Sequence, residues 1–247
     1  MQYLDMNPRQ LREAIERRTP VALPLGVVEY HAEHLPFGTD AFIAMDAIRR
    51  VEQRHPELIV LPPFYYGAAS LAVAAPENNG TIQVDAMKLI PVAEEIFKSL
   101  LRIGLRGIHA FIAHQTEEFE QGMPTDLAFR MAGRHAIFDY LEKNSGEGWW
   151  GTEQFSAYYS GDNNPFAWIQ IHPVRTRPET NARFHGDHAG KLETSAMLAM
   201  KPELVHMDQL DPSLWYSRPA ADASAEYGEA YLDAISYDVE AVLFGKK

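Results

Sequence analysis

The chain has 247 residues, 46% of them hydrophobic and 23% charged, enough to bury a sizeable core as one large domain or two small ones. A formal charge of -12 at pH 7 excludes the basic face that a nucleic-acid partner requires and leaves small neutral or cationic ligands as the better fit. The absence of cysteine excludes disulfides, thiolate ligands and a cysteine nucleophile, so any metal must be held by nitrogen and oxygen.

Asn7-Pro8 supplies an N-cap followed by proline at the first helical position, and Leu11, Ala14 and Ile15 then recur at helical spacing to Arg18. Val21 to Val28 reads as a buried strand, broken by Pro24 and Gly26. It leads into a polar loop, Glu29-Tyr30-His31-Ala32-Glu33-His34-Leu35-Pro36-Phe37-Gly38-Thr39-Asp40, that carries five candidate metal-binding side chains. A loop leaving such a strand is where α/β proteins place ligand-binding groups. If the strand continues, Glu29 and His31 project the same way, and Asp40 returns after the turn at Pro36 and Gly38. A solvated loop with one hydrogen-bonded histidine is the plainer alternative.

Ala41 to Arg54 reads as a helix and Leu58 to Pro62 as a short buried strand. Breakers fill Tyr65 to Gly80, which reads as a loop beside the site. Asp85 to Arg102 is strongly amphipathic, and Gly107 to Ala113 is a strand with His114 at its end. That position suits a ligand, although a buried structural histidine is the commoner occupant. Phe119 to Lys143 is helical in character despite Pro124, and Asn144 to Asn164 reads as a long loop or lid. Then come a strand at Phe166 to Ile171, a helix at His188 to Met200, a short strand at Leu204 to Met207 and a closing helix at Glu226 to Phe244. The alternation predicts one domain with a mainly parallel sheet covered by helices on both faces. The N-terminus lacks the pattern of a secretion signal and no stretch is long enough to span a membrane, so a cytoplasmic protein is expected.

The segment His185-Gly186-Asp187-His188-Ala189-Gly190-Lys191-Leu192-Glu193-Thr194-Ser195 is the third carrier of chemistry, after the Glu29 loop and His114. The five-residue step from His188 to Glu193 does not place both on one helical face, and capping of the helix by Asp187 is the plainer reading. Together the three segments resemble the creatininase (creatinine amidohydrolase) family, whose members carry a Glu-x-His-Gly-x-His-Leu-Pro-x-x-Thr-Asp loop, a histidine after a central strand, and a His-Ala-Gly-x-x-Glu-Thr-Ser segment. Ala32 stands where the family usually has glycine.

The resemblance implies a three-layer α/β/α fold over 1–247, a two-metal centre and hydrolysis of a small cyclic amide, commonly by a homo-oligomer. It makes Glu29, His31, Asp40, His114 and Glu193 metal ligands, with Asp40 the bridge, and His188 the catalytic acid/base. Nitrogen and oxygen donors suit zinc, manganese or iron, and a metal hydroxide would be the nucleophile. The chain departs from the family at Ala113-His114-Gln115-Thr116-Glu117, where Thr116 replaces the second-metal glutamate of creatininases proper. The second ion would then be held by Glu193, by Glu117 through a register change, or weakly, and creatinine itself is not the expected substrate. Ring opening of a cyclic ketone polyol such as a dehydro-inosose is the rival hydrolysis, with Asn78, Asn79, Gln115, Asn163 and Asn164 as polyol contacts. A non-catalytic, metal-stabilised binding protein is the rival of another class. His34 reads as a partner orienting a ligand or as structural, and Trp149 and Trp150 as lid residues able to stack on a flat ring.

Overall fold

The computed structural model of the chain describes residues 1–69, 73, 76–160 and 164–245. The first helix, α1 (Pro8–Glu16), is capped by Asn7, whose side chain accepts from Arg9 and Gln10 N–H. It leads to strand β1 (Val21–Leu25), helix α2 (Thr39–Arg54), strand β2 (Ile59–Val60) and the short helix α3 (Pro76–Asn79). Helix α4 (Ala86–Ile103), capped by Asp85, precedes strand β3 (Ile108–Ile112), and helix α5 (Pro124–Ser145) precedes strand β4 (Ile169–Pro173). Helices α6 (Pro178–Arg183), α7 (Lys191–Met200) and α8 (Ala225–Phe244) complete the described chain.

The four strands form one parallel sheet in the order β2-β1-β3-β4. Strand alternation divides the core between the two faces. Val21, Leu23 and Leu25 of β1 and Ile108, Ala110 and Ile112 of β3 join Ala14, Phe97 and Phe129 from α1, α4 and α5. Ala22 and Phe111 face the other way, onto Ile48, Leu192, Leu232 and Ile235 from α2, α7 and α8. The result is the expected α/β/α sandwich.

Of the two breakers expected in β1, Gly26 ends the strand and Pro24 does not interrupt it. The strand runs through Pro24, whose carbonyl accepts from Phe64 N–H, so the missing N–H points to the side on which β2 has already ended. It stops at Leu25, short of the expected Val28. Pro124 likewise starts α5 rather than interrupting it, because proline at the first helical position gives up an N–H that has no partner there. The strand expected at Leu204 to Met207 is instead a pair of 3-10 turns, Pro202–Leu204 and Met207–Gln209, since Pro202 nucleates the first and the apolar run is too short to pair. Strand β4 begins at Ile169, after a 3-10 turn at Pro165–Ala167 takes the residues that open the expected strand. Among the described residues no helix is long and apolar enough to cross a membrane.

Candidate metal centre

All three sequence segments meet at the C-terminal ends of β1 and β3. The strand ends before Glu29, so Glu29 and His31 are brought together by a loop and not by alternation along β1. That loop is tied by Glu29 N–H to Phe37 O and by Tyr30 N–H to Thr81 Oγ1. It delivers Asp40 on the first turn of α2, which begins at Thr39, two residues before the expected Ala41. A carboxylate there is favoured by the helix dipole.

Three groups of three side chains result: Glu29, His31 and His188 make one, and Asp40 belongs to the other two. Glu29, Asp40 and His114 form one of that pair, and His31, Asp40 and Glu193 the other, with the donor atoms in each group within 4.8 Å of one another. His114 Nδ1 lies 3.2 Å from Glu29 Oε2 and 3.4 Å from Asp40 Oδ2. His31 Nε2 lies 3.5 Å from both Asp40 Oδ2 and Glu193 Oε2. The single oxygen Asp40 Oδ2 therefore serves both of its groups. Glu29, His31, Asp40 and His114 are buried.

Hydrogen bonds orient the donors. His31 Nδ1 is 3.0 Å from Glu29 O, and because a carbonyl only accepts, Nδ1 carries the hydrogen and Nε2 faces the carboxylates. Glu193 Oε2 accepts from Ala189 N–H at 2.7 Å. Asp187 accepts from Leu192 and Glu193 N–H, which is the helix-capping role that its position in the sequence suggests. Burial disfavours charge on His31, but Asp40 and Glu193 outweigh it and push the imidazole up to about 10. Burial is likewise outweighed at His114, by Asp40 and Glu29, again up to about 10. Asp40 is held well below the usual carboxylate range because His31 and His114 overcome its burial. Burial raises Glu193.

His188 sits beside this centre, its ring 4.5 Å from that of His31, and its Nε2 lies 3.0 Å from Tyr30 O. Burial and the neighbouring His31 push it down to about 4, so it is neutral near pH 7. His34 does not orient His31. Its Nε2 meets Thr194 Oγ1 at 2.9 Å and ties the loop to α7.

A cavity of about 130 Å³ opens over these groups. Gln115, Thr116, Glu117, Arg175 and Tyr231 line it with the carboxylates and histidines. Thr116 Oγ1 accepts from Arg175 Nη2 at 2.9 Å, and Glu117 belongs to none of the three-residue groups, whereas Glu193 belongs to one. Of the loop amides expected to meet a polyol, Gln115 lines the cavity, Asn78, Asn79 and Asn164 do not, and Asn163 lies outside the described residues. The tryptophans are not at the cavity either. Trp149 is buried against Phe155 and Phe166, and Trp150 packs on Tyr158 and Tyr159.

Sequence reasoning missed Arg175, whose one signal is a cation two residues past a strand. It also missed Tyr30 O and Ala189 N, backbone groups that side-chain patterns cannot show.

The donor set fits a divalent pair. His31 Nε2 and Asp40 Oδ2 are buried and have no hydrogen-bond partner among the described residues, an arrangement that is costly unless an ion or proton is shared there. The family model described as creatinine amidohydrolase matches residues 4–222. Creatinine amidohydrolase of Pseudomonas putida is 26% identical over 190 residues, 76% of this chain and 66% of that protein, so the match spans just under two thirds of the relative. A solved creatinine amidohydrolase (creatininase) superimposes with a TM-score of 0.72 at 19% identity over 100% of this chain and 98% of the other. A structure titled Creatininase Mn gives 0.73 at 20% identity over 99% of both chains, and a mutant creatininase of Zn-Zn type gives 0.73 at 18% over 99% and 98%. At these identities the structural likeness speaks for the fold.

Proposed function

The chain belongs to the creatininase family, and from that premise we propose that it is a divalent-metal-dependent hydrolase that opens a small cyclic carbonyl compound, a cyclic amide first among candidates. One observation carries the reading: two groups of three ligands share Asp40 Oδ2 beneath a small cavity. Glu29, Asp40 and His114 would hold one ion and His31, Asp40 and Glu193 the other. Bound zinc, manganese or iron would acidify a water to a pKa of about 7 and polarise the carbonyl.

The remaining work falls to the protein. Glu29 O fixes the His31 tautomer, Ala189 N–H fixes Glu193, and Asp187 fixes the start of α7 on which Glu193 stands. His188 is the acid/base. Its Nε2 hydrogen is donated to Tyr30 O, so Nδ1 is the free lone pair of a neutral ring, able to take a proton and return it to the leaving nitrogen. Creatinine is a poor candidate substrate because Thr116 stands where creatininases proper have a glutamate, and its hydroxyl is engaged by Arg175. A cyclic ketone polyol is disfavoured, since among the described residues Gln115 alone of the expected amides lines the cavity.

Metal analysis of the purified protein combined with turnover of cyclic amides and inososes tests the reading. Two divalent ions per chain and ring opening of an amide are expected. Asp40→Ala should lose metal and all turnover, whereas His188→Ala should keep the metal and lose about 100-fold or more in rate. Full metal occupancy and normal turnover in Asp40→Ala would sink the assignment, and ligand binding without turnover of either substrate class would favour a binding protein.

A further inference from the structure

Arg175 is a cation inside the cavity that the proposed hydrolysis does not use. It follows β4 by two residues, at the end of the sheet where α/β proteins bind ligands, and it is 6% exposed. Its Nη1 donates to Phe184 O and its Nη2 to Thr116 Oγ1. Both acceptors are uncharged, and among the described residues no carboxylate forms an ion pair with the guanidinium. A buried cation with no carboxylate in direct ion-pair contact is costly, and the cost falls when an anion arrives beside it.

The surroundings are shaped for that arrival. Arg175, Thr116 and Gly186 line the same cavity as Asp40, His114 and Glu193. Glycine at 186 makes room: a Cβ there would lie 2.7 Å from Arg175 Nη2 and 3.3 Å from Glu117 Oε2. Asp187 and Glu117 are the carboxylates nearby, and Asp187 feels the guanidinium through space, but neither makes an ion pair with it, and Asp187 accepts from Leu192 and Glu193 N–H at the start of α7. Thr116 Oγ1 accepts from Arg175, which leaves its own hydrogen to donate. Guanidinium and hydroxyl together thus present charge-assisted donors to one planar anion.

We propose that Arg175 and Thr116 recognise a carboxylate carried by the substrate, so that the compound opened is a small anionic ring and not a neutral one. The cavity of about 130 Å³ suits a single ring bearing such a group. The proposal rests on the hydrolase reading in one respect, that the ring carbonyl sits at the Asp40 centre.

The test is calorimetric titration of zinc-loaded protein with matched probes: pyroglutamate against its amide, and hydantoin acetic acid against its amide. In the wild-type protein the acids should bind at least about 10-fold more tightly than the amides. Arg175→Gln removes the charge, and Thr116→Glu places a carboxylate against an intact Arg175. Both should bring the preference within about two-fold while retaining metal. Equal binding of acid and amide, failure of both acids to bind, or a preference that survives Thr116→Glu would overturn the proposal, the last showing that the acids coordinate metal instead. Metal content separates the two failures: a wild-type protein without its two ions sinks the hydrolase reading, while a fully loaded one without acid preference sinks this inference alone.

Discussion

His31 and His114 decide how the centre exchanges protons for metal. Burial alone would strip both rings of charge, yet Asp40 with Glu193, and Asp40 with Glu29, leave each with a pKa of about 10. A cation entering either group must therefore displace a proton, and Glu193, raised by burial to about 8, adds part of a third. Zinc binding to chelated protein at pH 7 is expected to release about two to three protons, read from calorimetry in buffers of different ionisation enthalpy. Release of none would show that neither histidine is a ligand. The linkage has a second side. A raised folded pKa contributes stability that is full below about 6.5, the unfolded value, and is lost as pH rises through about 10. Chelated protein should thus lose melting temperature between pH 7 and 10 while metal-loaded protein holds it. The ligands themselves were legible in the sequence because donor types at fixed spacing survive without a structure. Their backbone supports were not. Ala32, Gln115 and Ala189 follow His31, His114 and His188, and all three have left-handed φ, at 55°, 50° and 48°. That conformation at Ala32 gives a physical reason why relatives keep glycine there.

Helices α7 and α8 pack close enough that one of them must lack a side chain. A Cβ on Gly228 would lie 1.8 Å from Ser195 O, a backbone atom that cannot step aside unless α7 moves. Glu193 is on the first turn of α7, so packing and metal binding are coupled through one helix. Gly228→Ala should cost about 1–3 kcal/mol and weaken zinc at the group containing Glu193. Thermal melting and metal titration read the two effects, and Gly151→Ala, whose Cβ meets nothing within 4 Å, is the control. An unchanged melting point and zinc affinity would mean that α7 is not held by this contact. The elements were legible in proportion to their length. Helix α4 falls within one residue of the expected Asp85 to Arg102, because eighteen residues of apolar period leave little choice of phase. Helix α6, six residues without an apolar period, gave no such signal, and Leu204 to Met207 was misread because a run of four apolar or neutral residues fits a strand and a 3-10 turn equally.

Both faces of the sheet carry core, and one face also hides histidines that are kept neutral. His172 stacks on Phe111 with ring centroids 5.3 Å apart, and its Nε2 lies 3.0 Å from His109 Nδ1. Burial, with His109 nearby, pushes it down to about 3, and burial pushes His34 and His188 down to about 4. Unfolding restores a pKa of about 6.5, so below that value the unfolded chain binds protons that the folded chain refuses. These three groups must then cost stability as pH drops from about 6.5 towards about 4, against the opposite contribution of Glu193, and a chain whose two core layers share one sheet should unfold in a single transition. Scanning calorimetry of chelated protein tests both statements without interference from metal loss. His172→Phe keeps a flat ring against Phe111 and removes one of the three depressed groups, at the cost of the contact with His109. Its melting temperature should therefore fall less steeply with acid than the wild type's, whatever its value at pH 7. An equal slope would mean that His172 is not held neutral, and two separate transitions would mean that the layers fold as independent units.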